Sequence, residues 1–126
     1  VSKAHVLIIE DHKDSAEVLG RLLHQADVSY RVIERPTKLT SADVQDVNAI
    51  FLDLDMPDMD GYGVFNMLRQ QLVCHAPVIA YTVNTNEKAT TRQLGFNGMI
   101  AKPLDASCFP DQLERILNGQ PVWDEC

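Results

Sequence analysis

The apolar residues of this chain fall into short continuous runs that alternate with stretches of helical spacing. Val6, Leu7, Ile8 and Ile9 form a β-branched run that ends at once in Glu10 and Asp11. Such a run predicts a buried first strand that delivers acids at its end. Ala16, Leu19, Leu22, Leu23 and Ala26 then recur at helical intervals, with Asp14 or Ser15 suited to the N-cap. Tyr30 to Ile33 predicts a second strand, and Pro36 to Val47 a helix with a thin apolar stripe. Ala49 to Leu52 predicts a third strand, which runs into Asp53 and an acidic loop where Pro57 stops regular structure. Tyr62, Phe65, Leu68 and Leu72 give a clear helical stripe, and Val78 to Tyr81 a fourth strand ending at Thr82. Asn86 to Leu94 predicts a Thr-rich, weak helix closed by Gly95, and Met99 to Ala101 a fifth strand before Lys102 and Pro103. Phe109, Leu113, Ile116 and Leu117 line the last helix, Pro110 sits in its first turn, and Gln120 to Cys126 reads as a tail.

This alternation of five strands and five helices predicts an α/β three-layer sandwich. Continuous apolar strands belong to a parallel sheet covered on both faces, and right-handed crossovers favour the flavodoxin-like order 2-1-3-4-5. The expected organisation is a single domain over residues 1–126, with a core of about 5–119 and a tail of 120–126.

Composition narrows the function. With 126 residues, 45% of them hydrophobic, the chain is long enough for one core. A net charge of −7 argues against a direct nucleic-acid surface, which needs clustered cations. No apolar run is long enough to span a membrane, and no signal-peptide pattern opens the chain. Cys74, Cys108 and Cys126 lack metal-ligand spacing and read as reduced thiols of a cytoplasmic protein. Because the first residue is Val1, processing or trimming of the chain is expected, and whether it stands alone or belongs to a longer parent stays open.

In the expected strand order, Glu10, Asp11, Asp53, Thr82 and Lys102 converge on one edge of the sheet, where open α/β sheets bind ligands. Crowded carboxylates repel one another unless a cation compensates, and a hard divalent ion such as Mg²⁺ suits oxygen ligands of this kind. A lysine and a hydroxyl opposite them complete a site for a phosphoryl group. A carboxylate nucleophile, a metal and two anion stabilisers are the parts needed to make and break an acyl phosphate.

These residues resemble the receiver domain of two-component response regulators, the CheY-like family. The resemblance rests on Glu10 and Asp11, on Asp53 followed by Met56, Pro57, Asp60 and Gly61, on Thr82, and on Lys102 with Pro103. It implies that Asp53 is the phosphoacceptor for a phosphohistidine of a histidine kinase or phosphotransfer protein. Asp11, Asp53 and the backbone carbonyl of Asp55 would be the protein ligands of Mg²⁺, with Glu10 reaching it mainly through water. Thr82 would be the switch hydroxyl, Lys102 the cation that pairs with carboxylate and then phosphate, and Pro103 a cis-proline that aims it. Output would pass to a downstream protein partner or a self-dimer through the face formed by the fourth predicted helix, fifth strand and fifth helix. Two positions depart from the family pattern. Met99 stands where an aromatic residue usually couples to that face, and Val83 follows Thr82 where a small residue is common. Asp55 adds a carboxylate beside the phosphoryl position and is expected to alter phosphoryl lifetime. Asp58 and Asp60 are expected to be turn or cap residues, and His12 a solvated loop residue.

Two other functions fit parts of the pattern. Asp53 and Asp55 resemble the nucleophile and general acid of haloacid-dehalogenase-like phosphatases, although those enzymes carry their further acids downstream. An unphosphorylated interaction module is the third reading, which Met99 favours and the complete acid, hydroxyl and lysine set disfavours.

Overall fold

A computed structural model describes residues 4–57 and 60–123. Six strands form one parallel sheet in the order β2-β1-β3-β4-β5-β6. The strands are β1 (His5–Ile9), β2 (Ser29–Ile33), β3 (Ala49–Asp53), β4 (Val78–Thr82), β5 (Gly98–Ala101) and β6 (Val122–Trp123). The helices are α1 (Lys13–Gln25), α2 (Gly61–Gln70), α3 (Lys88–Leu94) and α4 (Phe109–Leu117), with 3-10 turns at Pro36–Lys38 and Thr85–Glu87.

The strand residues alternate between two cores, because successive side chains point to opposite faces of a sheet. Leu7, Ile9, Ile50, Leu52, Val78 and Met99 pack with Val64, Phe65 and Leu68 of α2 on one face. Val6, Ile8, Phe51, Ile79 and Ile100 pack on the other with Leu19 and Leu23 of α1 and Phe109, Leu113 and Ile116 of α4. The central strands β3 and β4 are buried along their whole length. Their continuous apolar runs are the signature of a sheet covered on both sides.

Four sequence expectations are corrected. The helix predicted over Pro36 to Val47 is absent. After the 3-10 turn, residues 41–46 form successive tight turns, with Asp43 N–H bonded to the Thr40 carbonyl and Gln45 N–H to that of Ala42. The Asp43 carboxylate accepts from the Thr40 amide and hydroxyl, a local competitor of helical bonding, and Asp46 has φ +62°. Leu39 and Val44 are buried in the core with Val47 packed partly against it, too thin a stripe to support a helix. The described residues therefore form four helices rather than five, and the fourth and fifth predicted helices are α3 and α4.

The second correction concerns the tail, since Val122 and Trp123 form a sixth strand on the outer edge of β5. Gly98 makes this possible, because a Cβ there would lie 2.3 Å from the Val122 carbonyl oxygen. Trp123 is buried beneath the Arg92 guanidinium, 4.5 Å from its ring centroid, and pairs in register with Met99. A two-residue strand is too short to carry a periodicity signal, which is why the sequence shows only a tail.

Third, α1 is N-capped at His12 with no side-chain cap bond, rather than at Asp14 or Ser15. Fourth, Cys74 is a buried free thiol but Cys108 is disulfide-bonded, against the expectation of reduced thiols. Gly95, with φ +107°, closes α3 as its sequence predicts.

Candidate phosphoryl and metal site

Parallel strands pointing the same way bring the ends of β1, β3, β4 and β5 to one edge. The sequence-predicted residues Glu10, Asp11, Asp53, Thr82 and Lys102 meet there. Asp53 is the last residue of β3 and only 2% exposed. Its Oδ1 accepts the Lys102 ammonium at 2.8 Å and the Asp55 amide at 2.8 Å. Glu10, Asp11 and Asp53 each offer a carboxylate oxygen within 4.8 Å of the others.

Glu10 is buried, and its Oε1 accepts the His12 amide at 3.0 Å. Its Oε2 lies 3.1 Å from Lys102 Nζ yet has no partner with hydrogen-bond geometry, so a charge contact is all that compensates it. Burial pushes the Glu10 carboxyl up to about 7, and the neighbouring charge of Asp53 adds to this. Burial acts to lower the Lys102 ammonium, but the hydrogen bond to Asp53 and the charges of Asp53 and Glu10 outweigh it and raise it overall. Lys102 also lies 4.8 Å from the ring centroid of Tyr81, a support that sequence reasoning missed. Burial pushes the Tyr81 phenol up to about 12. The Lys102–Pro103 peptide is cis.

The orphaned Glu10 Oε2, the raised Glu10 carboxyl and the three converging oxygens fit a divalent cation. A hard ion would satisfy all three oxygens and relieve their repulsion.

Thr82 is fully buried at the end of β4, and its hydroxyl donates to Asp55 Oδ1 at 2.8 Å. Asp55 Oδ2 accepts the Val83 amide at 3.0 Å and lies 3.6 Å from Lys102 Nζ. The sequence flags Asp55 as an extra carboxylate but gives no sign that it grips Thr82 and Val83. Met99 sits apart from this cluster, fully buried in the core beside Trp123. Asp60 N-caps α2 through the Tyr62 amide at 3.0 Å, while Asp58 lies outside the described residues. Gly61 allows α2 to start against Leu54, whose Cδ2 would lie 2.5 Å from an added Cβ. Met56 is buried in the core and Pro57 turns the chain. His12 is exposed and contributes only its amide.

Residues 6–114 match the response regulator receiver domain family. The chain belongs to that family. Among relatives of this receiver domain, the transcription factor SKN7 of Chaetomium thermophilum is 31% identical over 91% of this chain and 15% of its own length. The osmosensing histidine protein kinase SLN1 of Saccharomyces cerevisiae is 28% identical over 79% of this chain and 9% of its own length. The domain thus spans a small part of these relatives. In fold it is similar to the chemotaxis protein CheY4 of Vibrio cholerae, with a TM-score of 0.79, 22% identity, and coverage of 91% of this chain and 99% of that one. It is also similar to the receiver domain of the sensor histidine kinase PA1611 of Pseudomonas aeruginosa, described with a magnesium ion in its active-site cleft. That match has a TM-score of 0.77 at 22% identity, covering 93% of this chain and 99% of that one. The family match decides against the phosphatase reading: this is a receiver domain of two-component signalling. Among the described residues, no helix is long and apolar enough to cross a membrane.

Proposed function

We propose that this receiver domain accepts a phosphoryl group on Asp53 from the phosphohistidine of a histidine kinase or phosphotransfer protein, in a Mg²⁺-dependent step. The observation that carries this reading is Asp53 itself. It is a buried carboxylate at a strand end, held by Lys102, beside two further acids whose charge calls for a cation. A carboxylate oxygen of Asp53 attacks phosphorus, the bond from phosphorus to the imidazole nitrogen breaks, and the imidazole keeps the electron pair. Asp11, Asp53 and the Asp55 backbone carbonyl would hold Mg²⁺, with Glu10 acting through water, and the ion would neutralise charge on the phosphoryl oxygens. Lys102 then shifts its partnership from Asp53 toward the phosphoryl group, and Thr82 supplies a hydrogen-bond donor. Hydrolysis of the acyl phosphate would be slow, so the domain acts as a phosphoacceptor and not as a turnover enzyme.

The downstream partner, or a second copy, would meet the face of α3, β5 and α4. There β6 covers the β5 edge and Leu94 is half exposed. Alanine at Leu94 is expected to weaken that association, measured by titration against the partner or by sedimentation. We place the domain in the cytoplasm with such kinases.

The test is intact-mass spectrometry after incubation with acetyl phosphate and Mg²⁺. A labile adduct of about 80 Da is expected, the mass of one phosphoryl group bound as an acyl phosphate. It should vanish in Asp53→Asn and in the presence of EDTA. No adduct on the parent protein, with Mg²⁺ shown to bind, would favour the unphosphorylated interaction module.

A further inference from the structure

The Asp55 carboxylate sits on Thr82 and Lys102, which the proposed function reserves for phosphoryl oxygens, and on the Val83 amide beside them. Its Oδ1 accepts the Thr82 hydroxyl at 2.8 Å, and its Oδ2 accepts the Val83 amide at 3.0 Å with Lys102 Nζ 3.6 Å away. The Thr82 oxygen in turn accepts the Asn84 amide at 3.0 Å, which leaves the hydroxyl hydrogen for Asp55. A hydroxyl, an amide and an ammonium thus surround one two-oxygen anion. These are the donors that a tetrahedral oxyanion on Asp53 would need. Asp55 belongs to the segment between β3 and α2, and its side chain is 30% exposed while Thr82 is fully buried. The anion can leave toward water, whereas the donors are fixed.

We propose that Asp55 is an internal oxyanion, a self-ligand that fills the phosphoryl-oxygen subsite of the resting domain and must swing out when Asp53 is loaded. The inference rests on the phosphoacceptor reading above and gives Asp55 a positioning role rather than a catalytic one. It holds Thr82 turned inward and orders the backbone at Val83 and Asn84 before any phosphoryl group arrives. It also competes with the incoming group, because a site available only part of the time shows a proportionately weaker apparent affinity. A buried hydroxyl that exchanges one anion for another gains little. The conformational change on loading therefore lies in the segment that releases Asp55 rather than in Thr82.

The test uses beryllofluoride with Mg²⁺, a tetrahedral anion that adds to a carboxylate without a phosphoryl transfer. The parent, Asp55→Ala, Asp55→Asn and Asp53→Asn proteins are compared by ¹⁵N amide spectra. In the parent, the Val83 amide is expected to carry the signature of a carboxylate partner before any probe is added, and to move little on saturation. In Asp55→Ala it should start elsewhere and converge on the parent's saturated position. The half-saturating probe concentration should fall about tenfold in Asp55→Ala, as for a subsite self-occupied nine-tenths of the time. Asp55→Asn, which keeps an acceptor but not the charge, should lie between the two. Simple charge repulsion would also weaken binding in the parent, but it would fade at high salt and leave no Val83 signature in the probe-free protein.

Equal half-saturation in parent and Asp55→Ala, lost in Asp53→Asn, would overturn the self-ligand and leave the phosphoacceptor reading standing. Mg²⁺ alone moving the parent's Val83 amide to the Asp55→Ala position would overturn it as well. Binding to neither form, with Asp53→Asn indistinguishable from the parent, would sink the phosphoacceptor reading and this inference together.

Discussion

Glu10 brings a carboxyl into the protein that is buried beside two other acids and whose Oε2 lacks a hydrogen-bond partner. Burial and Asp53 raise its folded-state value from 4.5 to about 7. A raised carboxyl binds its proton more tightly in the folded chain than in the unfolded one. The metal-free protein is therefore expected to lose stability as the pH rises from about 4.5 to about 7, with no further loss from this group above that. The effect is a few kcal/mol at most. Urea midpoints in EDTA at pH 5 and pH 8 measure it, and Glu10→Gln should lose this component of the slope. Mg²⁺ should flatten it too, by favouring the ionised acid. At this scale the acids, Thr82 and Lys102 were legible because each follows an apolar run, and the fold then gathers strand ends. The grip of Asp55 on Thr82 and Val83 was not. Half of it is a backbone amide, which every residue but proline has, and the rest depends on a loop path that no periodicity encodes.

The elements that were read correctly are those whose burial pattern is strong, such as β3, β4 and α2. The segment after β2 deceived because helical spacing was present but sparse, and Asp43 supplied competing bonds. Arg69 shows another limit of the sequence. Its guanidinium donates to the carbonyls of Cys74 and Ala76 at 2.8 and 2.9 Å and to Asn97 Oδ1 at 3.0 Å, while lying over Phe65. This clamp joins the end of α2 to the approaches of β4 and β5, yet in sequence it is simply a cation at the end of a helix. For β6 the decisive residue is Gly98, where the Val122 backbone leaves no room for a side chain. Gly98→Ala is expected to undock β6 or force β5 aside, at a cost of about 1–3 kcal/mol. Amide hydrogen exchange should show protection lost at Val122 and Trp123 but kept in β3. Unchanged protection at those two amides would contradict the packing described.

Across the whole molecule, two apolar cores clamp the sheet and leave one polar edge where the charges gather. That edge holds Glu10, Asp11 and Asp53, with Asp55 beside them, in a chain of net charge −7, so cation binding should stabilise the fold as a whole. At ten times its dissociation constant, Mg²⁺ is expected to add about 1.4 kcal/mol. For a domain of this size that is a rise in Tm of roughly 5 °C. Differential scanning calorimetry with and without EDTA reads the shift, and Asp11→Asn together with Asp53→Asn should remove most of it. The strand order was legible before the structure because alternating strands and helices permit few topologies. The added edge strand was not, since only contact with β5 makes those two residues a strand.

Trp123 is the sole tryptophan of the chain, and β6 places it three strands from the one that ends in Asp53. Three inter-strand steps amount to about 14 Å. The domain thus carries one indole, stacked under Arg92, whose emission reports on the far side of the sheet rather than on the acids. Mg²⁺ binding by itself should leave its emission unchanged. A change of emission on loading Asp53 would be an optical record of the signal having crossed β4 and β5.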